Sequence, residues 1–259
     1  MAIHVVGVHN IFLLWSAFVL CFLPKENLVN FASYSWARLA LIVLSTTAGL
    51  LFSDQDLQSA DPVSPFDGKS FSAWTTLDGK PVSVGWEIID GVIHLKKETG
   101  RSGHIVTRAE YGDFTLAFDW KIAVGGNSGI KYRVRSYGNK VLGLEYQIYD
   151  DAGAKNKVAP KNSVGSLYDL YEPHSDKQLN PAGEWNHAKI VVQGKRIEHW
   201  LNGKPIVAAT IGDEEWKKRV EASKFNDVPE FGRNASGKLM LTDHGSEVWY
   251  RNFVFETKE

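Results

Sequence analysis

Residues 125–151 restrict the possible folds of this chain more than any other stretch, because they predict a β-hairpin with two distinct faces. In the first half, Ile130, Tyr132 and Val134 alternate with basic residues. In the second half every other residue is again apolar, and these residues are Leu142, Leu144, Tyr146 and Ile148. Successive side chains of a strand point to opposite faces, so each half has one apolar face that can pack into a core. Turn-forming residues at 136–140 separate the two halves.

The polar face of this hairpin is a candidate site. Simple alternation places Arg133, Glu145 and Gln147 together on it. A strand does not need a guanidinium, a carboxylate and an amide on one face in order to fold, which favours a binding or catalytic role. The alternative is a cross-strand ion pair between Arg133 and Glu145 on a solvated sheet face, which stabilises a protein only weakly.

The charge balance and the cysteine content exclude some classes of function. The 259 residues include 29 Lys and Arg and 30 Asp and Glu, so no overall positive field favours a nucleic-acid partner. The single cysteine, Cys21, lies near the N-terminus, so we expect no disulfide and no thiol chemistry in the rest of the chain. The aromatic residues are numerous, and they can either fill a β core or stack on sugar rings.

Residues 1–53 predict a hydrophobic signal or anchor region, and residues 54–65 predict a linker. The apolar stretch at 5–23 is long enough for a bilayer span, whereas the stretch at 39–52 is closer to a signal-peptide core. Two interpretations stay open, a cleavable signal that follows a later translation start and a pair of genuine anchors. In both, we expect an exported protein that contacts a membrane only through this region.

Residues 66–259 predict one antiparallel β-sandwich or jelly roll with a single short helix. The pattern contains about eleven short runs of strand character, one of them at 164–171, separated by turn signals. Asp-Gly at 90–91 and Asn-Gly at 202–203 are two-residue hairpin turns. Residues 213–225 are the only convincing helix, with Asp213 as its N-cap.

Six short motifs follow one another along this domain, and they are FDGK (66–69), NSGI (127–130), GLEYQIYD (143–150), GEWN (183–186), HWLNG (199–203) and DHG (243–245). In this order they resemble the 3-keto-disaccharide hydrolase family, formerly a domain of unknown function. The resemblance implies an all-β, concanavalin A-like (laminarinase-G-like) sandwich and export from a bacterial cell. The chain departs from the family pattern at Leu144, where an aromatic residue is frequent, and at Thr242, where Gln is usual.

The resemblance implies that the protein cleaves the glycosidic bond of sugars oxidised at C3. A ketone at C3 acidifies the C2 proton, so the site needs a base, a cation or metal ion for the enolate oxygen, and polar groups that hold the ring. The residues expected to carry catalysis are Glu145, His244 and Arg133. Either Glu145 or His244 is the expected base, and Arg133 or a bound metal ion is expected to stabilise the enolate. The residues expected to bind the substrate are Asn127, Gln147, Asp150, Asp243 and Trp200.

Several of these residues have a simpler interpretation that stays open. The Asn-Ser-Gly segment at 127–129 is also typical of a turn before a strand, and His244 of a surface histidine in a turn. Trp200 is either a sugar platform or a packing residue. His199 shares a strand face with apolar residues and is predicted to be a hydrogen-bonded core histidine. A divalent metal ion held by Glu145, His244 and a third group is compatible with the motifs, although no ligand spacing establishes it.

Three functions compete at this level. The first is an exported enzyme that cleaves 3-keto-glycosides either by hydrolysis, which can proceed through elimination and then hydration, or by elimination alone. The second is a lectin-like module that binds carbohydrate without chemistry, and the third is an adhesion or scaffold role at the cell surface. A base with a pKa near neutral distinguishes the first from the second. In the first two cases the expected partner is a carbohydrate.

Overall fold

A computed structural model describes residues 64–97, 102–228 and 230–257. These residues form twelve β-strands, one α-helix and a short 3-10 turn. The elements are β1 Trp74–Thr76, β2 Trp86–Ile89, β3 Val92–Leu95, β4 Ile105–Thr107, β5 Phe114–Ile122, β6 Asn127–Tyr137, β7 Lys140–Tyr149, the 3-10 turn Pro160–Asn162, β8 Asn186–Gln193, β9 Arg196–Leu201, β10 Lys204–Thr210, α1 Glu214–Glu221, β11 Lys238–Leu241 and β12 Val248–Thr257. The predicted signal or anchor region lies outside the described residues, as does the predicted linker up to residue 63. None of the helical segments in the described ranges has the length and hydrophobicity that a bilayer span requires.

The strands pair into two antiparallel sheets that enclose the core. One sheet has five strands in the order β1-β4-β11-β6-β7, and the other has seven in the order β10-β9-β8-β5-β12-β3-β2. Strand β5 shows the packing most clearly, because its residues are alternately buried and partly exposed along the whole strand. The prediction of an all-β antiparallel sandwich with one short helix is confirmed.

A β-bulge interrupts the hairpin formed by β6 and β7. Between the pairs Tyr132–Leu144 and Arg135–Leu142, β6 contains one residue more than β7. Arg133 lies in this bulge with a φ of 49°, in the left-handed region. An extra residue on one strand shifts the alternation of faces, so the residues after the bulge no longer follow the simple period of two.

The bulge changes which basic residue faces Glu145. Lys131, and not Arg133, is paired with Glu145 across the two strands. The Arg133 guanidinium instead donates to the Asp113 carboxylate (3.3 Å) and to the Gly194 carbonyl (2.7 Å). The prediction that Arg133 and Glu145 share one polar face is therefore wrong, and so is the alternative of an ion pair between them.

Residues 164–171 form a loop along the edge of β7 instead of the predicted strand, with isolated bridges as their only β-pairing. Positive φ angles at Gly165 (82°) and Asp169 (62°) interrupt the extended conformation. The loop still bonds to the edge strand, since the Tyr168 N–H donates to the Glu145 carbonyl at 3.0 Å. It thereby covers an otherwise open sheet edge and brings Tyr168 next to Glu145.

The predicted helix is present, but it is shorter than residues 213–225. Asp213 is its N-cap as predicted, because the carboxylate accepts a hydrogen bond from the Trp216 N–H at 2.7 Å. Trp216 and Val220 form the buried side of α1. The helix packs this side against the common core.

His199 is a core residue, as predicted. Its side chain is fully buried, the Nδ1–H donates to the Gly165 carbonyl at 3.1 Å, and Nε2 lies 2.9 Å from the Tyr132 hydroxyl. Burial disfavours the charged ring and lowers the pKa of His199 to about 4. The imidazole is therefore neutral at pH 7, with both nitrogens hydrogen-bonded.

We expect His199 to make the fold acid-sensitive. Because the folded-state pKa lies below the unfolded value of about 6.5, the neutral ring contributes fully above that pH. The contribution, about 3 kcal/mol at most, is lost as the pH falls toward 4. Urea unfolding of the wild type and of His199→Gln at pH 7.5 and pH 4.5 measures this effect. The wild type should lose more stability than the variant, and equal losses would contradict the assignment.

Candidate active site

The candidate site surrounds Glu145 on the outer face of the five-stranded sheet. Leu144 and Tyr146 point into the core, so Glu145 points away from it. The residue is nevertheless only 6% exposed. Lys131 is the nearest cation, with Nζ 3.6 Å from Oε2 of Glu145. The predicted carboxylate is thus on the polar face, but buried beside a lysine.

Gly129 provides the space for the Glu145 carboxylate. A Cβ atom at position 129 would lie 2.4 Å from Oε1 of Glu145. The Asn-Ser-Gly segment therefore belongs to β6, and the interpretation of it as a turn is wrong. Only glycine at this position leaves the carboxylate where it is.

One oxygen of Glu145 has no hydrogen-bond partner. Among the described residues, Oε1 is buried and receives no donor. A buried acceptor without a donor costs roughly 1–3 kcal/mol, so such groups are rare in native structures and need an explanation. One explanation is that this oxygen accepts a proton from a substrate.

The surroundings raise the pKa of Glu145. Burial is the main cause, because it disfavours the charged carboxylate. The positive charges of Lys131 and Lys224 act in the opposite direction, but the net shift is upward. A carboxyl group with a pKa moved toward neutral can take up and release a proton at physiological pH.

The turn after β11 brings His244 to the same face of the sheet. The Thr242 N–H donates to the carbonyl of Gly129 at 3.0 Å, directly beside the residue that accommodates the carboxylate. The His244 ring then meets the His104 ring edge-on, with centroids 5.5 Å apart. Glu145 and His244 thus lie on the same side of the sandwich, within the field of one lysine, Lys131.

His244 is a neutral imidazole at pH 7. Its pKa is lowered to about 4, mainly because surrounding protein atoms remove water from the ring, although the residue as a whole is exposed. The charges of His104 and Lys131 lower it further. A ring with this pKa is a weak base but a good hydrogen-bond donor, so Glu145 is the better candidate for the base.

Asp243 positions the two histidines. Its backbone N–H donates to Nδ1 of His104 at 2.9 Å, which leaves Nε2 of His104 as the protonated nitrogen. Its Oδ1 accepts from the Gly245 N–H at 2.9 Å and closes the turn. Asp243 therefore lies at the site, as predicted, and its observed contacts support the turn.

A cleft of about 360 Å³ opens at Gln147, which follows Glu145 by two residues on the same face of β7. Its polar lining includes Asn127, Gln147 and Asn162, together with the Tyr168 ring. Gln147 donates to the Asn127 side-chain carbonyl at 3.2 Å, so the two predicted binding residues hold each other in place. Amides and a phenol that line one cleft suit a ligand that carries several hydroxyl groups.

Asp150 and Trp200 are not part of this cleft. The Asp150 carboxylate accepts a hydrogen bond from the Gly125 N–H at 2.8 Å and anchors the preceding turn. Trp200 lies on the outer face of the seven-stranded sheet, where its indole N–H donates to Glu198 at 2.9 Å and Lys189 covers its ring. The structure therefore places Trp200 on the opposite side of the sandwich from Glu145.

Three residues of the site were missed by the sequence interpretation, namely Lys131, Tyr168 and Lys224. Simple alternation places Lys131 and Arg133 on the same polar face of β6, so it does not show which of the two faces Glu145. Tyr168 lies in the loop that was predicted as a strand, and the Lys224 ammonium stacks 4.3 Å above its ring. No local pattern identifies Lys224, which follows a short helix far along the chain.

The sequence leaves open a metal site in which Glu145 and His244 act with a third acidic, histidine or cysteine side chain. No group of three or more such side chains in the described ranges has an arrangement that could hold a metal ion. The cation nearest to the carboxylate is the Lys131 ammonium.

Comparison with known proteins gives a consistent result. A family model described as a 3-keto-alpha-glucoside-1,2-lyase-like domain matches residues 61–256. A protein of Bacteroides thetaiotaomicron named 3-keto-disaccharide hydrolase is 31% identical over 218 residues, which is 72% of this chain and 75% of that protein. These matches confirm the resemblance that the six motifs predicted.

Solved structures agree with this assignment. A candidate glycosyl hydrolase from Parabacteroides distasonis is 34% identical, with a TM-score of 0.67 over 75% of this chain and 93% of that one. A second candidate glycosyl hydrolase of the same organism is 26% identical, with a TM-score of 0.55 over 75% and 98% of the two chains. The chain therefore belongs to the 3-keto-alpha-glucoside-1,2-lyase-like family, and it is a hydrolase with a glycoside hydrolase-like function.

Proposed function

We propose that this protein cleaves 3-keto-glycosides, with Glu145 as the base that removes the proton from C2 of the oxidised sugar. The observation that carries the proposal is the buried Glu145 carboxylate, whose Oε1 has no donor among the described residues. Family membership supports the choice of substrate, since the named relative is a 3-keto-disaccharide hydrolase. The cleft lined by Asn127, Gln147 and Asn162 supports a sugar-binding position next to this part of β7.

The chemistry proceeds by elimination and then hydration. Glu145 takes the C2 proton, and the electron pair of the C2–H bond forms the enolate of the C3 ketone. The enolate then expels the C1 substituent, which takes up a proton and leaves an unsaturated ketosugar. Water adds across this double bond, its oxygen to C1 and a proton to C2, so that the net reaction is hydrolysis.

In this proposal Lys131 and His244 stabilise the negative charge of the enolate. The Lys131 ammonium lies 3.6 Å from the base and provides a fixed positive charge. His244 is neutral and supplies an N–H donor without competing for the C2 proton. In this proposal Lys131 takes the role that the sequence interpretation assigned to Arg133.

A lectin-like role on the same sandwich is the competing hypothesis. Hydrogen-bonding amides and an aromatic ring serve a binding module equally well. A binding module, however, gains nothing from a buried carboxylate with a raised pKa, which weakens the fold. The burial of the Glu145 carboxylate, with Oε1 lacking a donor among the described residues, therefore favours an enzyme.

Incubation of the purified protein with 3-keto-trehalose tests the proposal. We expect release of glucose and of a 3-ketosugar, with incorporation of solvent deuterium at C2 when the reaction runs in D₂O. Binding of the ketosugar without release would support the lectin-like role instead. A parallel reaction with a chelator reveals any need for a metal ion.

Export is the second part of the proposal. It is supported by the apolar stretches and Arg38 within residues 1–53, and by the resemblance to a family of exported proteins. Expression of the full chain in a Gram-negative bacterium, followed by fractionation and N-terminal sequencing, measures it. Recovery of uncleaved protein from the cytoplasm would contradict export.

A further inference from the structure

A second cleft, of about 560 Å³, lies at the other side of the β6 bulge. Four cationic side chains line it, and they are Arg133, Lys195, Lys217 and Arg233. Asp113 is the single acidic residue of its lining in the described part of the chain. Cations that share one concave surface repel each other and attract an anion, because the low-dielectric walls focus their field.

Arg133 is the buried centre of this cluster. It is only 3% exposed, and its one charged partner within the described ranges is Asp113, at 3.3 Å from a single guanidinium nitrogen. Its Nε–H is buried without an acceptor. A buried guanidinium with one long contact to a carboxylate is incompletely compensated.

The fold holds Arg133 in this position at a conformational cost. The residue keeps a left-handed φ of 49°, which few non-glycine residues adopt. The Asn234 side chain donates to its carbonyl at 3.0 Å, and a Cβ on Gly237 would lie 2.5 Å from its carbonyl carbon. A strained conformation that several neighbours maintain is typical of a functional position.

The remaining cations of the cleft are available to a ligand. Among the described residues, the ion-pair partners of Lys217 and Arg233 are exposed glutamates, Glu214 at 2.6 Å and Glu230 at 3.7 Å. Such exposed ion pairs contribute little to the stability of the fold, and water or a competing anion can readily replace the glutamate. Lys195 has no ion-pair partner among the residues that the structure describes.

We infer that this cleft binds an oxyanion, as a sulfate, phosphate or carboxylate group carried by a ligand of about monosaccharide size. Guanidinium groups bind such planar or tetrahedral oxyanions through paired N–H donors, and ammonium groups add point charges. The volume of the cleft accommodates a small polar molecule rather than a bare ion. The site is formed by the bulge, the β8–β9 turn and α1, and so it is separate from the cleft at Gln147.

Isothermal titration calorimetry with inorganic sulfate, inorganic phosphate and glucuronate tests the inference. The titrations are made at one ionic strength set with sodium chloride, so that general screening is constant. We expect saturable binding of at least one of the three, and the strongest of them identifies the class of the anionic group. The variant Lys217→Gln/Arg233→Gln should raise its Kd by about tenfold or more, since two charge-assisted contacts are lost.

Lys218→Gln is the matched control, because Lys218 is exposed on the same helix but does not line the cleft. This variant should keep the wild-type Kd. Both variants should cleave 3-keto-trehalose at the wild-type rate, so that failure at this site is distinguishable from failure of the proposed activity. Absence of saturable binding for all three anions, or an unchanged Kd in the double variant, would overturn the inference.

Discussion

Replacing Glu145 with Gln is expected to slow the cleavage of 3-keto-trehalose about 10²- to 10⁴-fold, the range that a positioned general base contributes. The amide has nearly the same shape, but it cannot accept the C2 proton. The steady-state rate of cleavage and the rate of deuterium incorporation at C2 should fall together, because both depend on the same proton transfer. Unchanged kinetics in this variant would remove Glu145 from the mechanism.

The same substitution is expected to raise the melting temperature at pH 7.5. Burial raises the pKa of Glu145 above its ordinary value of 4.5, so the ionised form destabilises the folded state. The contribution of Glu145 to stability is complete below about pH 4.5 and is lost as the pH rises through the folded-state pKa. Since Gln cannot ionise, the variant avoids this loss. An active site that weakens the fold commonly shows such a trade-off.

Glu87→Gln is the matched control for both effects. Glu87 lies on β2 in the other sheet, and hydrogen bonds from Lys96 and His94 lower its pKa. The shift has the opposite sign, so the loss of this carboxylate should lower the melting temperature slightly and leave activity unchanged. A lower melting temperature in both variants would contradict the burial argument for Glu145.

The sandwich could be predicted from the sequence because its signals are local. Alternating apolar residues along β5, β6 and β7, together with the Asp-Gly and Asn-Gly turns, specify strands and antiparallel neighbours over short distances. The cap of α1 at Asp213 is similarly local. Residues 164–171 also have strand character in the sequence, but the positive φ angles at Gly165 and Asp169 make this segment a loop.

The β6 bulge could have been inferred in retrospect, because the register set by the turn conflicts with the register that aligns the apolar faces of the two strands. The observed two-residue turn pairs Tyr137 with Lys140. Continued without interruption, this register would place the apolar Tyr132 opposite Glu145. Opposed residues share a face, so one extra residue on β6 is required before the apolar sides coincide. That extra residue redirects Arg133 and leaves Lys131 at the carboxylate.

The rest of the site depends on contacts between distant parts of the chain. The motif around His244 indicated a function, but only the pairing of β11 with β6 places it on the same face as Glu145. Tyr168 and Lys224 join the site through a docked loop and a turn after α1, for which no period or spacing exists. Unpartnered buried atoms, such as Oε1 of Glu145, are likewise a property of the packed structure alone.

Replacing Lys131 with Met is expected to move the acid limb of the kcat/KM profile to higher pH. The ammonium favours the ionised form of Glu145, 3.6 Å away, so its removal raises the pKa of the carboxyl group further. Activity requires the ionised base, and so the rate should begin to rise only at a higher pH than in the wild type. The plateau should also fall about 10²- to 10³-fold, the range for the loss of one group that stabilises an oxyanion.

Two further variants separate the charge of Lys131 from its other contributions. Lys131→Arg keeps the positive charge and should retain an acid limb close to that of the wild type. Lys121→Met removes a lysine from the outer face of the other sheet, where Lys121 covers the Trp249 ring, and should leave the profile unchanged. If the limb stayed in place in Lys131→Met, the base would not be next to Lys131. The shift therefore tests the identity of the base and the role of its nearest cation in one measurement.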